Sequence, residues 1–325
     1  MNKYNVDMRG KNVIVTGANT GLGYVKAREI AKMGGSVTMA CRSAERGQAA
    51  LEKMREEALE KPVKEGVPLR EDITDVDIKL EALDLGSLKS IQDFSKRVKA
   101  SGSKIDILIN NAGVMAIPDR RETADGFEMT VGINHIGTHF LTRLLEPCLA
   151  DGGRVIFYSS IGHNRPPGQP KTTFNWDDIN AEKPGVYRQW MSYGQSKLYN
   201  LLDAQEFAKH LSGRGITTYA VSPGVVMTEL TRNMTDNSMM SVITRMMSPL
   251  MKYLISTPLQ GSLTAMRCAC DPTVGTPELS GKYWHNEKET KPSDLACDPA
   301  NAPRLWKATE DMLEAKLGKP VSEFI

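Results

Sequence analysis

Tyr193 and Lys197 stand four residues apart in the segment Tyr193-Gly194-Gln195-Ser196-Lys197. On a helix, positions i and i+4 share a face, so a phenol and an ammonium are brought to one place. A phenol has a reference pKa of about 10, whereas a proton donor and acceptor for carbonyl–alcohol interconversion works best nearer neutrality. Lowering it by about three units takes about 4 kcal/mol of preferential phenolate stabilisation, at ~1.36 kcal/mol per unit. An ammonium in a partly dry cleft supplies stabilisation of that kind. Upstream, the strand-like run RVIFYSS ends on Ser159 and Ser160. The carboxyl ends of strands form the binding crevice of open α/β sheets, so a serine hydroxyl there is placed to meet a substrate oxygen. A Tyr and a Lys at this spacing also occur on ordinary surface helices, and the pair gains its weight from these surroundings.

A second feature lies near the N-terminus. The run TGANTGLG (16–23) follows the strand-like NVIVT (12–16) and carries Gly17, Gly21 and Gly23. Glycines permit a tight strand-to-helix turn and close approach of backbone to a pyrophosphate, while the following helix, expected from about Leu22 to Met33, points its positive end at that phosphate. Gly34-Gly35 is a C-terminal stop. Strand, turn, helix and second strand span about 30 residues, as a dinucleotide-binding unit requires. The end of the second strand reads Cys41-Arg42-Ser43, with no acid until Glu45. An acid near this point would hold the ribose 2′-hydroxyl of NAD, whereas an Arg accommodates the 2′-phosphate of NADP. A planar guanidinium suits a phosphate dianion, and Arg46 lies a helical turn further on. NADP(H) is therefore expected over NAD(H).

The elements that must position these residues are short apolar runs alternating with helical stretches: NVIVT (12–16), SVTMAC (36–41), DIKLEAL (77–83), IDILI (105–109), RVIFYS (154–159), ITTYAV (216–221) and KYW (282–284). Such alternation argues for a parallel sheet with helices on both faces, and continuous apolar strands fit burial on both sides. The expected fold is α/β, a single-domain Rossmann-type doubly wound parallel sheet of about seven strands over residues 1–325. Residues 58–76 carry two prolines and mixed charge, so they are expected to form a solvated loop. Residues 162–190 carry four prolines and lack periodicity; they are expected to wall the site.

Composition excludes other classes. Lys and Arg number 41 against 39 Asp and Glu, a balance that gives nucleic acid no basic footprint. Five cysteines are few and odd in number, as in a reduced protein rather than a disulfide framework. No apolar run approaches the ~20 residues of a spanning helix, and the expectation is a soluble, cytoplasmic protein. His135 and His139 have the spacing of a metal pair, but no third ligand accompanies them and no metal is expected.

Taken together, the motifs resemble the short-chain dehydrogenase/reductase family. TGANTGLG (16–23), Asp84-Leu85, NNAG (110–113), Asn134, Ser160, YGQSK (193–197) and PGVVMT (223–228) occur in family order. ACRS (40–43), NHIGTHFLT (134–142), SSIGH (159–163), YGQSKLYNLL (193–202), SPGVVMTEL (222–230), SGKYW (280–284) and LW (305–306) further resemble the retinol dehydrogenase-like branch. The resemblance implies Tyr193 as acid/base and Lys197 as the group that lowers its pKa and holds the nicotinamide ribose. Ser160, rather than Ser159, orients the carbonyl, and Asn134 supports a water-mediated proton relay. Asp84, with Leu85, meets the adenine, and Asn111, with Ala112 and Gly113, the adenosine ribose region. Gly17, Asn19, Thr20, Gly21, Leu22 and Gly23 cradle the phosphates. Pro223, Gly224, Val226 and Thr228 complete the cofactor set, Thr228 on the carboxamide or phosphate.

After Thr228, residues 229–256 are rich in methionine and present a broad apolar helical face, which suits an irregular apolar ligand. They are expected to cover a small but bulky apolar carbonyl or alcohol substrate. A core helix and shallow membrane contact are the alternatives. Helices near 134–149 and 194–212 are amphipathic enough either for self-association or for covering the sheet. Trp176 and Trp190 are expected to pack rather than to form substrate platforms. Two functions of other classes stay open: a non-catalytic nucleotide-binding scaffold on the same fold, and an epimerase or dehydratase. Retention of both Tyr193 and Lys197 counts against the first, and the glycine spacing against the second.

Overall fold

Runs rich in valine and isoleucine make the strands, and their side chains alternate between two cores. The computed structural model describes residues 6–60, 73–224 and 257–325. Its strands are β1 (Asn12–Thr16), β2 (Ser36–Cys41), β3 (Ile78–Ala82), β4 (Ile105–Asn110), β5 (Leu149–Tyr158), β6 (Thr217–Ser222), β7 (Lys282–His285) and β8 (Lys288–Glu289). They form one sheet in the order β3-β2-β1-β4-β5-β6-β7-β8. Neighbours from β3 through to β7 pair in parallel, and β8 runs antiparallel to β7. The chain starts at β1, winds outward to β3, then returns to β4 and winds the other way. The crevice at that reversal is where open α/β sheets bind ligands.

The helices are α1 (Gly21–Lys32), α2 (Ala44–Leu59), α3 (Leu88–Ala100), a short α4 (Met129–Val131) that runs through a π turn (Gly132–Ile136) into α5 (Gly137–Leu145), α6 (Gln189–His210), α7 (Pro258–Cys270), α8 (Asp294–Cys297) and α9 (Asn301–Leu317). On one face of the sheet Val15, Met39, Ile109 and Ile156 pack with Ile30 of α1, Met54 of α2 and Ala265 of α7. On the other, Ile14, Leu108 and Phe157 pack with Phe94 of α3, Phe140 of α5, Leu201 of α6 and Leu305 of α9. Each fully buried side chain of this size contributes ~1.5–3 kcal/mol of transfer free energy, so both layers hold the crevice rigid. Among the described residues no helix is long and apolar enough to cross a membrane.

The doubly wound parallel sheet is as expected, with an eighth strand added. Its hairpin turns on Asn286 and Glu287, both with positive φ (49° and 60°). A two-residue turn of this kind normally announces itself as Asn-Gly or Asp-Gly, and Asn-Glu does not. Residues 58–76 depart from a plain solvated loop at both ends: Ala58 and Leu59 finish α2, and Ala58, Ile73 and Val76 are buried. Residues 61–72 lie outside the described residues.

The proline-rich segment after β5 is anchored by aromatics. Phe174 stacks on Trp176 at 4.1 Å and 17°, Phe174 lies parallel to Tyr199 of α6 at 6.0 Å, and Arg304 of α9 stands 4.2 Å from the centre of the Trp176 ring. Trp176 is a packing residue. The faces of α5 and α6 that meet α9 are covered from within the chain. His135 Nε2 lies 2.8 Å from Thr309 Oγ1, and Arg143 Nε donates to Glu310 at 2.9 Å.

Candidate active site

The turn after β1 is closed by a hydrogen-bonded network. Thr16 Oγ1 accepts the backbone N–H groups of Asn111 (3.0 Å) and Ala112 (2.9 Å), and Asn111 Nδ2 donates to the Thr16 carbonyl at 2.8 Å. A Cβ on Gly23 would stand 2.4 Å from the Gly17 carbonyl oxygen and 2.5 Å from Asn111 Nδ2, so only glycine lets α1 start this close to β4. Thr20 precedes α1 without a side-chain cap, and the first turn of α1 holds no acid. The amide groups at the head of α1 therefore keep their capacity for an anion.

Beneath this turn lies a residue the motifs do not include. Lys26 of α1 is fully buried, and its ammonium donates to Asn111 Oδ1 at 2.8 Å and to the Tyr158 hydroxyl at 2.9 Å. Both partners are neutral, and burial pulls the lysine well below its ordinary pKa. Its signal in the sequence is a lysine on the core-facing side of α1, three residues past the last glycine.

The crevice is a cleft of about 360 Å³. Arg42, Ser43 and Arg46 border it where β2 ends. Asp84 and Leu85 border it where β3 ends, and Asn111, Ala112 and Gly113 where β4 ends. Gly17, Asn19, Thr20, Gly21 and Leu22 form its phosphate side, while Tyr193, Lys197 and Pro223 stand at its other end. Gly23 supports the turn from behind, and Gly224 closes β6, its N–H 3.5 Å from Ser222 Oγ. Arg42 and Arg46 are exposed, and among the described residues neither forms an ion pair. Val226, Thr228 and the expected covering segment 229–256 lie outside the described residues.

At the catalytic end, α6 presents Tyr193 and Lys197 one turn apart, with the ammonium 5.7 Å from the centre of the phenol ring. Lys197 Nζ donates to the Tyr158 carbonyl at 3.1 Å. The Ser160 hydroxyl accepts the Gly162 N–H at 3.1 Å, and the Tyr193 ring also lies beside that glycine. Burial pushes the phenol up, with the Ser160 hydroxyl pulling against it, and burial brings Lys197 down to about 8. At neutral pH Tyr193 holds its proton.

The two serines separate by geometry. Ser159 borders the cleft, but its hydroxyl donates to the Lys197 carbonyl at 2.8 Å and ties β5 to α6. Ser160 is the one on the side of the Tyr193 ring. Asn134, on the π turn, is a clamp. Its Oδ1 accepts the Val114 N–H at 2.7 Å, and its Nδ2 donates to the Val114 carbonyl at 2.9 Å and to Ser196 Oγ at 3.0 Å. With those atoms engaged, the side chain fixes the loop after β4 beside Lys197; a Cβ on Gly113 would lie 3.0 Å from Asn134 Oδ1 and 3.4 Å from Lys197 Nζ.

The segment 162–190, expected to wall the site, supplies no residue to the cleft lining and reaches Tyr193 through Trp190. Tyr187 donates its hydroxyl proton to the Ile117 carbonyl at 2.6 Å, and Trp190 meets Tyr193 edge-on at 6.3 Å. Ile161 and Val186, 46% and 37% exposed, are the large apolar side chains left open among the described residues. His135 and His139 lie instead across Asp203, away from the cleft.

Comparison with known proteins matches this arrangement. The family described as short chain dehydrogenase matches residues 11–170. Retinol dehydrogenase 12 of Homo sapiens is 38% identical over 311 residues, covering 95% of this chain and 88% of that protein. Retinol dehydrogenase 11 of Homo sapiens is 36% identical over 310 residues, covering 95% and 87%. A crystal structure of a Mycobacterium Paratuberculosis protein superposes with a TM-score of 0.70 at 28% identity, covering 95% of either chain. The chain belongs to the short-chain dehydrogenase family, in its retinol dehydrogenase-like branch, and is an oxidoreductase that exchanges hydride with a nicotinamide cofactor.

Proposed function

We propose that this short-chain dehydrogenase uses NADP(H) and acts on the carbonyl or alcohol carbon of a bulky apolar substrate: a retinoid, steroid, isoprenoid or long-chain carbonyl. The observation that carries the cofactor choice is the pair Arg42 and Arg46, two exposed guanidiniums on one rim of the cleft without a carboxylate partner among the described residues. Guanidinium forks match a phosphate dianion, and the 2′-phosphate distinguishes NADP from NAD at the end of the second strand. The relatives bearing the name retinol dehydrogenase, and the open apolar side chains of Ile161 and Val186, support the substrate class.

The residues present fit a dinucleotide. The tight Gly17–Gly23 turn and the uncapped head of α1 receive the diphosphate, Asp84, Leu85 and Asn111 the adenosine, and Lys197 the nicotinamide ribose. Pro223 and Gly224 border the nicotinamide. When bound, the nicotinamide supplies or accepts hydride. In reduction, Tyr193 donates its proton to the carbonyl oxygen as the carbon gains hydride, and Ser160 holds that oxygen beside the phenol. The ammonium of Lys197 stabilises the phenolate left behind, and in alcohol oxidation the same phenolate takes the proton. Residues 1–325 act as one unit in this reading.

Fluorescence titration of NADPH and NADH tests the assignment. Arg42→Glu is expected to weaken NADPH at least about tenfold, a change of about 1.4 kcal/mol, and to leave NADH within about twofold. Equal loss for both nucleotides, or preference for NADH in the unmodified protein, overturns it.

A further inference from the structure

His163 closes the turn that carries Ser160. It ends a single 3₁₀ turn, Ile161–His163, for which Ser160 is the N-cap. Its backbone N–H donates to the Ser160 carbonyl at 3.0 Å, and its ring Nδ1 meets the same oxygen at 2.6 Å. The opposite nitrogen, Nε2, accepts the backbone N–H of Ser293 at 3.1 Å. A ring that donates at Nδ1 and accepts at Nε2 is a neutral imidazole in one fixed tautomer. The ring is buried and stands edge-on to Tyr283 of β7, 4.8 Å between centres. It is a bar between the carbonyl of Ser160 and the chain that follows β8.

We propose that His163 is a positioning residue for hydride transfer: by clamping the Ser160 carbonyl against the chain after β8, it keeps the Ser160 hydroxyl beside the Tyr193 phenol. The inference rests on reading Ser160 as the residue that orients the substrate carbonyl. Three features give it weight. The hydrogen bonds of the imidazole run to Ser160 and Ser293, not to the phenol, so it acts through Ser160. Both of its nitrogens are committed, so the clamp is rigid. The rest of the turn does not replace it: Ser160 Oγ already accepts the Gly162 N–H, and a Cβ on Gly162 would lie 3.4 Å from that oxygen and 3.6 Å from the Tyr193 ring.

Protonation undoes the clamp. A second ring proton, at Nε2, would confront the Ser293 N–H, donor against donor. The ionisable groups around the ring hold no charge that favours this. β7 presents the phenol of Tyr283 and α6 the phenol of Tyr193. On the chain after β8, the Asp294 carboxylate is exposed and lies 3.6 Å from Lys171, and Arg165, two residues on, is exposed. Burial accordingly holds His163 below its ordinary 6.5, with the bond to the Ser160 carbonyl pulling the other way. Its folded-state pKa is depressed, so the clamp is intact above the ordinary value and is lost as pH falls through the depressed one.

The test uses the full chain with NADPH and all-trans-retinal, kcat being followed from pH 5 to 9. His163→Leu is expected to lower kcat about tenfold or more while NADPH affinity stays within about twofold. His163→Asn, which keeps an amide donor near the place of Nδ1, is expected to recover most of kcat and to lose the acid limb. ¹⁵N chemical shifts of the ring should report the Nδ1–H tautomer down through its ordinary 6.5. A His163→Leu protein with wild-type kcat and pH profile, alongside an inactive Ser160→Ala, overturns the proposal. So does an acid limb unchanged in His163→Asn, or a ring that titrates at or above 6.5. An active Ser160→Ala overturns instead the reading on which the proposal stands.

Discussion

Helix α6 carries two buried polar clusters, and they are balanced in opposite ways. Near its middle, Asp203 faces α5 and α9. Asp203 Oδ1 lies 3.0 Å from His139 Nδ1 and Oδ2 lies 3.2 Å from His135 Nδ1, while His139 Nε2 meets Glu310 at 3.1 Å. Burial pulls His139 down, but the Asp203 and Glu310 carboxylates outweigh it and hold the imidazole at about 9. Burial likewise pushes Asp203 up, and the two imidazoles outweigh it and hold the acid down at about 2. One turn and more toward its start, α6 presents Tyr193 and Lys197, with Lys26 behind them. Here the ammonium groups meet a carbonyl, an amide oxygen and a phenol oxygen, and burial wins. The first cluster is closed by its own carboxylates and serves the fold. The second is cation-rich and borders the cleft, so it suits an anionic cofactor. Charge balance, more than burial, distinguishes scaffold from site in this molecule.

The comparison breaks most sharply at Asp203. Asp203→Asn leaves two buried imidazoles without their shared carboxylate, and breaking a buried pair costs about 3–5 kcal/mol. Denaturant unfolding should show that loss, while NADPH affinity at low temperature stays close to wild type. Lys197→Met should do the reverse. Its hydride transfer should fall by about 10²-fold or more, with the unfolding midpoint at pH 7 no lower than wild type, because a buried ammonium at a cost is replaced by an apolar chain. Stability lost at Lys197 and activity lost at Asp203 would invert the assignment.

A smaller effect sharpens the same contrast through pH. The folded-state pKa of His139 is raised, so its contribution to stability is fully present below the ordinary 6.5 and is lost as pH rises through about 9. Lys197 is lowered, so its cost is full below about 8 and fades as pH rises. Thermal unfolding between pH 6.5 and 9.5 should therefore fall in wild type, and fall less in Asp203→Asn, where the raised imidazole has lost its cause. A parallel decline in both proteins would place the pH sensitivity elsewhere.

Much of this is legible in the chain. The strand runs reach the sheet with boundaries shifted by a residue or so, apart from β5, which begins at Leu149, ahead of the apolar run that opens on Arg154. The glycine turn, Arg42, Tyr193 and Lys197 converge as their spacing implies, since each motif follows a strand at the carboxyl edge of the sheet. What is not legible depends on long-range placement. Nothing local marks the partners of Lys26, which lie 85 and 132 residues away. The metal-like spacing of His135 and His139 resolves into a clasp for α9, because residues 171 and 174 positions further on supply Glu310 and Thr309. The clamp made by the Asn134 side chain is hidden for the same reason: its partners on Val114 and Ser196 exist only once β4 and α6 are packed together.

The central claim is that the cation-rich end of α6 turns over a carbonyl through the Tyr193 proton. Single-turnover oxidation of bound NADPH by all-trans-retinal, with wild type and Tyr193→Phe at equal occupancy, tests it most directly. The account predicts hydride transfer in the wild type, slowed about 10²–10⁴-fold in the variant, with NADPH affinity unchanged. Equal rates in the two proteins would contradict it.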